Sequence, residues 1–150
     1  MNIPAEVDRT IYVDVSVWIA LLSNEATSPV LKSWLESETG VLLTSRWSVV
    51  ELSSALSIKV RRMEFPQEQA LALAGRFDAL VSAQVRLVPV ASADYDHAAA
   101  MCRNAGSGLR AGDALHLAVA SRARASHLIT LDKNMTLNAV KMGFQIVQIE

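Results

Sequence analysis

The sequence holds a single cysteine, Cys102, so no disulfide forms within the chain. That suits a reducing compartment. Cys102 has only His97 near it as a base, and its expected role is a small buried thiol. Aromatic residues are scarce, at 5%, against 51% hydrophobic residues in all. The core is therefore built mainly from Ala, Val, Leu and Ile. Charge of neither sign dominates: 14 Lys and Arg face 15 Asp and Glu, for a formal net charge of -1. That balance excludes a bulk polycation, so any contact with nucleic acid must come from a local basic patch. Long hydrophobic runs are missing too. "VSVWIALLSN" is the longest near the start and falls short of a bilayer span. "MNIPAEVDRT" carries early acids and no apolar leader segment, which predicts a cytoplasmic chain.

What is present is one ordinary domain, residues 1–150, in which strands alternate with helices. "TIYVDV" reads as a strand and leads into the helix "SVWIALLS", with Ser16 as candidate N-cap. "SPVLKSWLESE" starts on a helix-initiating Ser-Pro and puts Val30, Leu31, Trp34 and Leu35 on one face. "VLLTS" is a second strand. "RWSVVELSSALSIKVRRM" is a long helix with Val49, Leu52, Leu56, Val60 and Met63 as its apolar stripe. A further helix, "QEQALALAGRFDALVSA", precedes "RLVPV", a strand placed near an edge by its proline. Helices at "SADYDHAAAMCRNAGSG" and "LRAGDALHLAVASRARA", the strand "SHLITLD", the helix "NMTLNAVKMG" and the strand "FQIVQI" complete the chain. The alternation predicts an α/β fold with a parallel sheet covered by helices on both faces.

Ligands in such sheets bind beyond the carboxyl ends of the strands. Asp14 closes "IYVD" there and Asp132 closes "LITLD". Glu51 and Asp113 sit on apolar helices. Each acid alone has an ordinary explanation: Asp14 caps the helix after it, Asp113 meets the amides of its own helix, and Asp132 forms an Asx-turn. Glu51 is mid-helix among apolar residues and has no such account. Gathered in one pocket, the four repel: two carboxylates ~4 Å apart at an effective dielectric near 20 oppose each other by about 4 kcal/mol. A cluster of this kind stays ionised around a cation, and oxygen-only ligation points to Mg²⁺ or Mn²⁺. His116, one turn after Asp113, is read as a packing or supporting residue rather than a general base. His97 and His127 have no metal-ligand spacing. The basic run Lys59, Arg61 and Arg62 either complements a helix C-terminus or meets phosphate.

In this order, "IYVDVSVWIALL", "RWSVVELSSAL", "LRAGDALHLAVA" and "LITLDKNM" resemble the PIN-domain ribonucleases, most closely the bacterial VapC-type toxins. The similarity spans nearly the whole chain. It implies a three-layer α/β/α sandwich around a mostly parallel sheet of 4–5 strands. It also implies a metal-dependent endoribonuclease, with Asp14, Glu51 and Asp113 as core acids and Asp132 as the fourth, more variable one. Ser16 matches the small hydroxyl residue after the first acid, and Thr130 stands beside the fourth. A further acid sometimes found near the fourth is absent, since Lys133 and Asn134 stand there, which leaves a second metal ion open. The implied reaction is attack of an activated water on an RNA phosphodiester, leaving 5′-phosphate and 3′-hydroxyl ends. The resemblance implies a homodimer held inactive by a small antitoxin whose C-terminal segment crosses a groove near the acids. Trp18, Trp47 and the turns around Ile58 are candidate surfaces for it, or else ordinary core. Arg46, Lys59, Arg61, Arg62 and Arg110 are candidate RNA or antitoxin contacts. The alternative is a non-catalytic PIN-like module that binds RNA or a partner, whose mark would be a lost core acid; none is lost. A haloacid-dehalogenase-like phosphatase wants a second Asp where Ser16 stands, and a receiver-like module lacks its paired acids before Asp14.

Overall fold

The computed structural model describes residues 8–149. The leader-free reading of the N-terminus lies, through residue 7, outside the described residues. Five strands form one sheet: β1 (Thr10–Val13), β2 (Val41–Ser45), β3 (Val85–Val88), β4 (His127–Ile129) and β5 (Gln145–Ile146). The order is β3-β2-β1-β4-β5, and every neighbouring pair is parallel. Tyr12 pairs with Leu43 on one side and Leu128 on the other. β3 is at an edge as predicted, although Pro89 lies just past its last residue rather than within it.

The helices are α1 (Val15–Leu22), α2 (Ser28–Ser37), α3 (Arg46–Arg61), α4 (Gln67–Gln84), α5 (Ser92–Arg103), α6 (Ala111–Arg122) and α7 (Lys133–Lys141). Alternation along β1 divides the core. Ile11 and Val13 face a cluster with Val17, Trp18, Leu52, Leu56 and Phe77, supplied by α1 to α4. Tyr12 faces the other way, toward Leu117, Val119, Met135 and Ala139 of α6 and α7. That period-two split is why a strand of four residues can anchor two helical layers. The result is an α/β/α sandwich.

β1 is the switch point: the chain adds β2 and β3 on one side of it, then returns to add β4 and β5 on the other. The crossovers on the two sides diverge past the carboxyl ends of β1 and β4 and leave a crevice there.

Some local expectations are corrected. Asp14, not Ser16, holds the N-cap position of α1; Ser16 is already inside the helix. Met63 leaves the apolar stripe, because α3 stops at Arg61 and Met63 takes a positive φ of 59° with 91% of its surface exposed. Trp18 is core rather than surface. Fully buried, it packs edge-on against Phe77 at 5.8 Å and donates its indole N–H to Thr44 Oγ1. Cys102 is half-buried instead of buried. β4 ends at Ile129, so Asp132 belongs to the loop and to the N-terminus of α7.

Candidate active site

Asp14 follows directly on β1, and its N–H donates to Ile129 O across the mouth of the crevice. The side chain is 3% exposed at residue level, where an ionised carboxylate needs partners. Oδ2 has two: Ser16 Oγ donates to it at 2.6 Å and Thr130 Oγ1 at 2.8 Å. Each hydroxyl in turn accepts a backbone N–H, Ser16 from Leu131 and Thr130 from Asp132. The loop after β4 is thus tied to Asp14 through two hydroxyl groups. Oδ1 is buried and makes no hydrogen bond. His116 Nε2 lies 3.4 Å from it but makes its hydrogen bond with Glu51 Oε1.

Glu51 reaches the crevice from the second turn of α3, and His116 from α6, one turn beyond Asp113. His116 is fully buried, with Nδ1 2.7 Å from the Tyr12 hydroxyl. Burial by itself would lower the His116 pKa; the hydrogen bond to Glu51 and the charges of Asp14, Glu51 and Asp113 overcome it and raise the pKa above the ordinary histidine value. In the cationic form both ring nitrogens donate, one to Tyr12 and one to Glu51. Burial also raises the Tyr12 pKa, so this phenol stays neutral.

Asp113 is the third residue of α6 and only half-buried. Among the described residues no N–H of that helix's first turn donates to its carboxylate, so capping does not explain it. Its pKa is raised, first by burial, then by the charges of Asp132 and Asp14, with Glu51 adding a smaller push and His116 opposing. That list of perturbers records a gathering of carboxylates. Asp132 both caps α7, accepting from Met135 N at 2.7 Å, and lines the crevice. The crevice is a cavity of about 580 Å³ bounded by Trp47, Glu51, Arg110, Asp113, Asp132 and Asn134, with Gly108 and Gly112 in its wall. Gly112 is there for space: a Cβ on it would stand 3.2 Å from Glu51 Oε2 and 3.3 Å from Trp47 Nε1.

The fold therefore brings together Asp14, Glu51, Asp113 and Asp132 with Ser16, Thr130, His116, Trp47 and Arg110. It does not bring the other basic residues there. Arg46 lines a separate cavity with Val49, Phe77 and Val81. Lys59 pairs with Glu64 at 3.1 Å, and Arg61 donates to Ser57 Oγ. Lys59 is about 12 Å along α3 from Glu51, from the rise of eight residues. Tyr12 and Gly112 were not singled out from sequence. Tyr12 read as a strand aromatic, and Gly112 showed only as a glycine beside an acid.

Among the described residues no group of three or more His, Cys, Asp or Glu is arranged to hold a metal ion directly. The donor chemistry still fits one: hard carboxylate oxygens on an open cavity, an unpartnered buried Asp14 Oδ1, and mutual repulsion that a cation would relieve. Mg²⁺ retains several waters and needs few direct carboxylates, which suits acids that surround a cavity without closing on a point.

No described helix is long and apolar enough to cross a membrane. A family model, PIN domain, matches residues 11–141. A comparison with curated proteins finds no significant match. Among solved structures, VapC20 of Mycobacterium tuberculosis, a sarcin–ricin loop cleaving toxin, aligns with a TM-score of 0.71 and 24% identity over 92% of this chain and 98% of that one. FitAcB from Neisseria gonorrhoeae aligns with a TM-score of 0.69 and 17% identity over 92% and 96%. VapBC2 from Rickettsia felis, bound to a DNA fragment from its promoter, gives 0.64 and 12% over 94% and 99%.

Proposed function

We propose, for a chain that belongs to the PIN-domain family, that it is a metal-dependent endoribonuclease acting as the toxin of a toxin–antitoxin pair. The whole of residues 1–150 is read as one nuclease domain. The observation that carries the reading is Asp14 Oδ1, buried without a hydrogen bond, in a side chain whose charge acts on Asp113, which walls a cavity together with Glu51 and Asp132. These four acids would hold Mg²⁺ or Mn²⁺. When bound, such an ion makes a coordinated water nucleophilic near neutral pH and neutralises charge on the scissile phosphate.

The remaining work belongs to the chain's own groups. Ser16 and Thr130 both donate to Asp14 Oδ2, which leaves Oδ1 as the carboxylate oxygen free of hydrogen bonds. His116 fixes Glu51 from below. Arg110, on the cavity wall, would meet a phosphate oxygen and position the RNA strand. Hydrolysis would leave a 5′-phosphate and a 3′-hydroxyl.

The partner reading has separate support. Similar solved structures include toxin–antitoxin complexes, among them one from Klebsiella pneumoniae. A small antitoxin, a homodimeric toxin and a cytoplasmic setting are proposed with the activity. A second reading, a non-cleaving module, draws on the open spacing of the acids. RNA cleavage by the purified chain with Mg²⁺ or Mn²⁺, beside Asp14→Asn and Asp113→Asn, separates the two. Metal-dependent cutting lost in both variants is expected. Cutting that persists in the variants sinks the assignment of the site, and tight RNA binding without cutting favours the module.

A further inference from the structure

We propose that a second, apolar groove beside the acid cavity receives an unpaired nucleobase of the RNA and sets a base preference next to the cut. This rests on the ribonuclease reading and deepens it. The groove, about 380 Å³, runs between α3, α5 and α6 and is walled by Trp47, Tyr95, Ala99, Cys102, Ala111 and Leu115. Three observations connect it to the acids.

Trp47 is a wall of both cavities. The other divider is the first turn of α6, where Ala111 faces the groove and Gly112 the acid cavity, so the ridge between them has almost no side chain. The Trp47 indole N–H is buried and unpartnered, beside Gly112 and Glu51 Oε2. The occupant that fits both sides is charged at one end, flat and apolar at the other, and carries an acceptor between. A nucleotide has that build: phosphate toward the acids and their cation, sugar over the ridge, base in the groove, with an oxygen for the indole N–H.

The walls favour a flat ring over a branched side chain. Tyr95 stands 58% exposed at the rim in a chain that is only 5% aromatic, and the surface beside it on α5 is alanine. Bases stack on such aromatics without regard to hydrogen-bond pattern. Besides that one indole N–H, the polar groups of the walls are the Cys102 thiol and the Tyr95 hydroxyl. Discrimination is therefore by stacking area, purine above pyrimidine, rather than by strict base identity.

The test is RNA binding in the Asp113→Asn background, which removes cutting, with labelled single-stranded oligo(A), oligo(U) and a base-free ribose-phosphate oligomer followed by fluorescence anisotropy. Tyr95 and Ala99 are both exposed, so Tyr95→Ala and Ala99→Trp spare the core; thermal melting checks this. Affinity should fall from oligo(A) to oligo(U) to the base-free oligomer. Each variant should weaken oligo(A) on the order of tenfold or more, toward the base-free value, as loss of one stacked base does. In the wild-type chain, Tyr95→Ala should flatten the base preference at one position flanking the cut.

Equal affinity for all three oligomers, or variants that leave oligo(A) binding unchanged, overturns the proposal. Variants that change the sedimentation coefficient but not RNA affinity overturn it in favour of an interface between copies. If RNA is bound with base dependence but never cut by the wild-type chain, the nuclease reading fails and the groove stands. If it is cut without base preference in both wild type and Tyr95→Ala, the groove fails and the nuclease stands.

Discussion

Asp113→Asn is expected to stabilise the metal-free protein while removing its activity. Asp113 sits where burial and the charges of Asp132, Asp14 and Glu51 all disfavour its ionised form. A pair of carboxylates ~4 Å apart at an effective dielectric near 20 would repel by about 4 kcal/mol, and the acids around this cavity do not close on one point, so each pair here repels by less. Asp113 is only half-buried, so water screens much of that, and the N-terminus of α6 returns about 0.5 kcal/mol. A net gain of about 1 kcal/mol for the variant follows, which is a rise in Tm of about 2–4 °C. The pH dependence is fixed in sign. A carboxyl group whose pKa is raised by folding binds its proton more readily folded than unfolded. Stability of the wild-type chain therefore falls as pH rises from the ordinary aspartate range through the raised folded value. Asparagine does not titrate, so the advantage of the variant is full above that folded value and disappears in acid. Saturating Mg²⁺ or Mn²⁺ should reverse the order, because an ion at a hundred times its Kd contributes about 2.7 kcal/mol to the form that binds it. Thermal melts of both proteins across pH, with chelator and with metal, decide it. A variant less stable than wild type at neutral pH in chelator, or a gap that does not close in acid, refutes the reasoning.

His116→Leu should lose about 3–5 kcal/mol in denaturant melts, because it strands the Tyr12 hydroxyl and leaves Asp14 and Glu51 facing each other without the imidazole. A loss under 1 kcal/mol would mean the imidazole contributes little to the fold. Gly112→Ala should change stability by less than about 1 kcal/mol, since helix propensity offsets contacts of 3.2 and 3.3 Å with Glu51 and Trp47. RNA cleavage should fall severalfold, and an unchanged rate would show that the ridge has slack. Arg9 holds the Glu38 carboxyl at about 2 by paired hydrogen bonds of 2.9 and 3.0 Å. A folded value below the unfolded one gives stability that is present above the ordinary glutamate range and lost as pH falls toward about 2. With Arg9 41% exposed, the contribution is about 1 kcal/mol, and Glu38→Gln should flatten that part of an acid-unfolding curve.

Much of this architecture was legible because its signals are local. A β-branched run ending in an acid and then an apolar helix specify β1, Asp14 and α1, and the alternation of elements specifies the parallel sheet. What the pattern could not show was how far each element continues. "LITLD" reads as strand to its last residue, yet Thr130 spends its hydroxyl on Asp14 and the backbone turns there, so Asp132 serves as a helix cap. Met63 continues the spacing of α3 but not the helix, since Phe65 and Pro66 draw the chain away. Tyr12 gave no sign of polar work because its partner, His116, is 104 residues away. The basic run at the end of α3 reads either as a complement to the helix C-terminus or as a phosphate contact, and Lys59 within it lies about 12 Å along the helix from Glu51.

The burial of Asp14 and the orphaned Oδ1 pose one question together, and His116 answers half of it. A fully buried imidazole, its pKa raised against burial by the hydrogen bond to Glu51 and the surrounding carboxylates, sits between Asp14 and Glu51 and serves the inner side of the cluster. On the outer side Asp113 and Asp132 face the cavity, with Arg110 on its wall and His116 acting on Asp113 from within. The asymmetry gives the site a direction. The imidazole's contacts from within hold Asp14 and Glu51 in place when the cavity holds only water. The deficit that remains lies on the solvent side, where a hydrated divalent ion and a phosphate can enter together. Four elements, β1, α3, α6 and the loop before α7, each supply one acid, so the fold must be complete before that deficit exists.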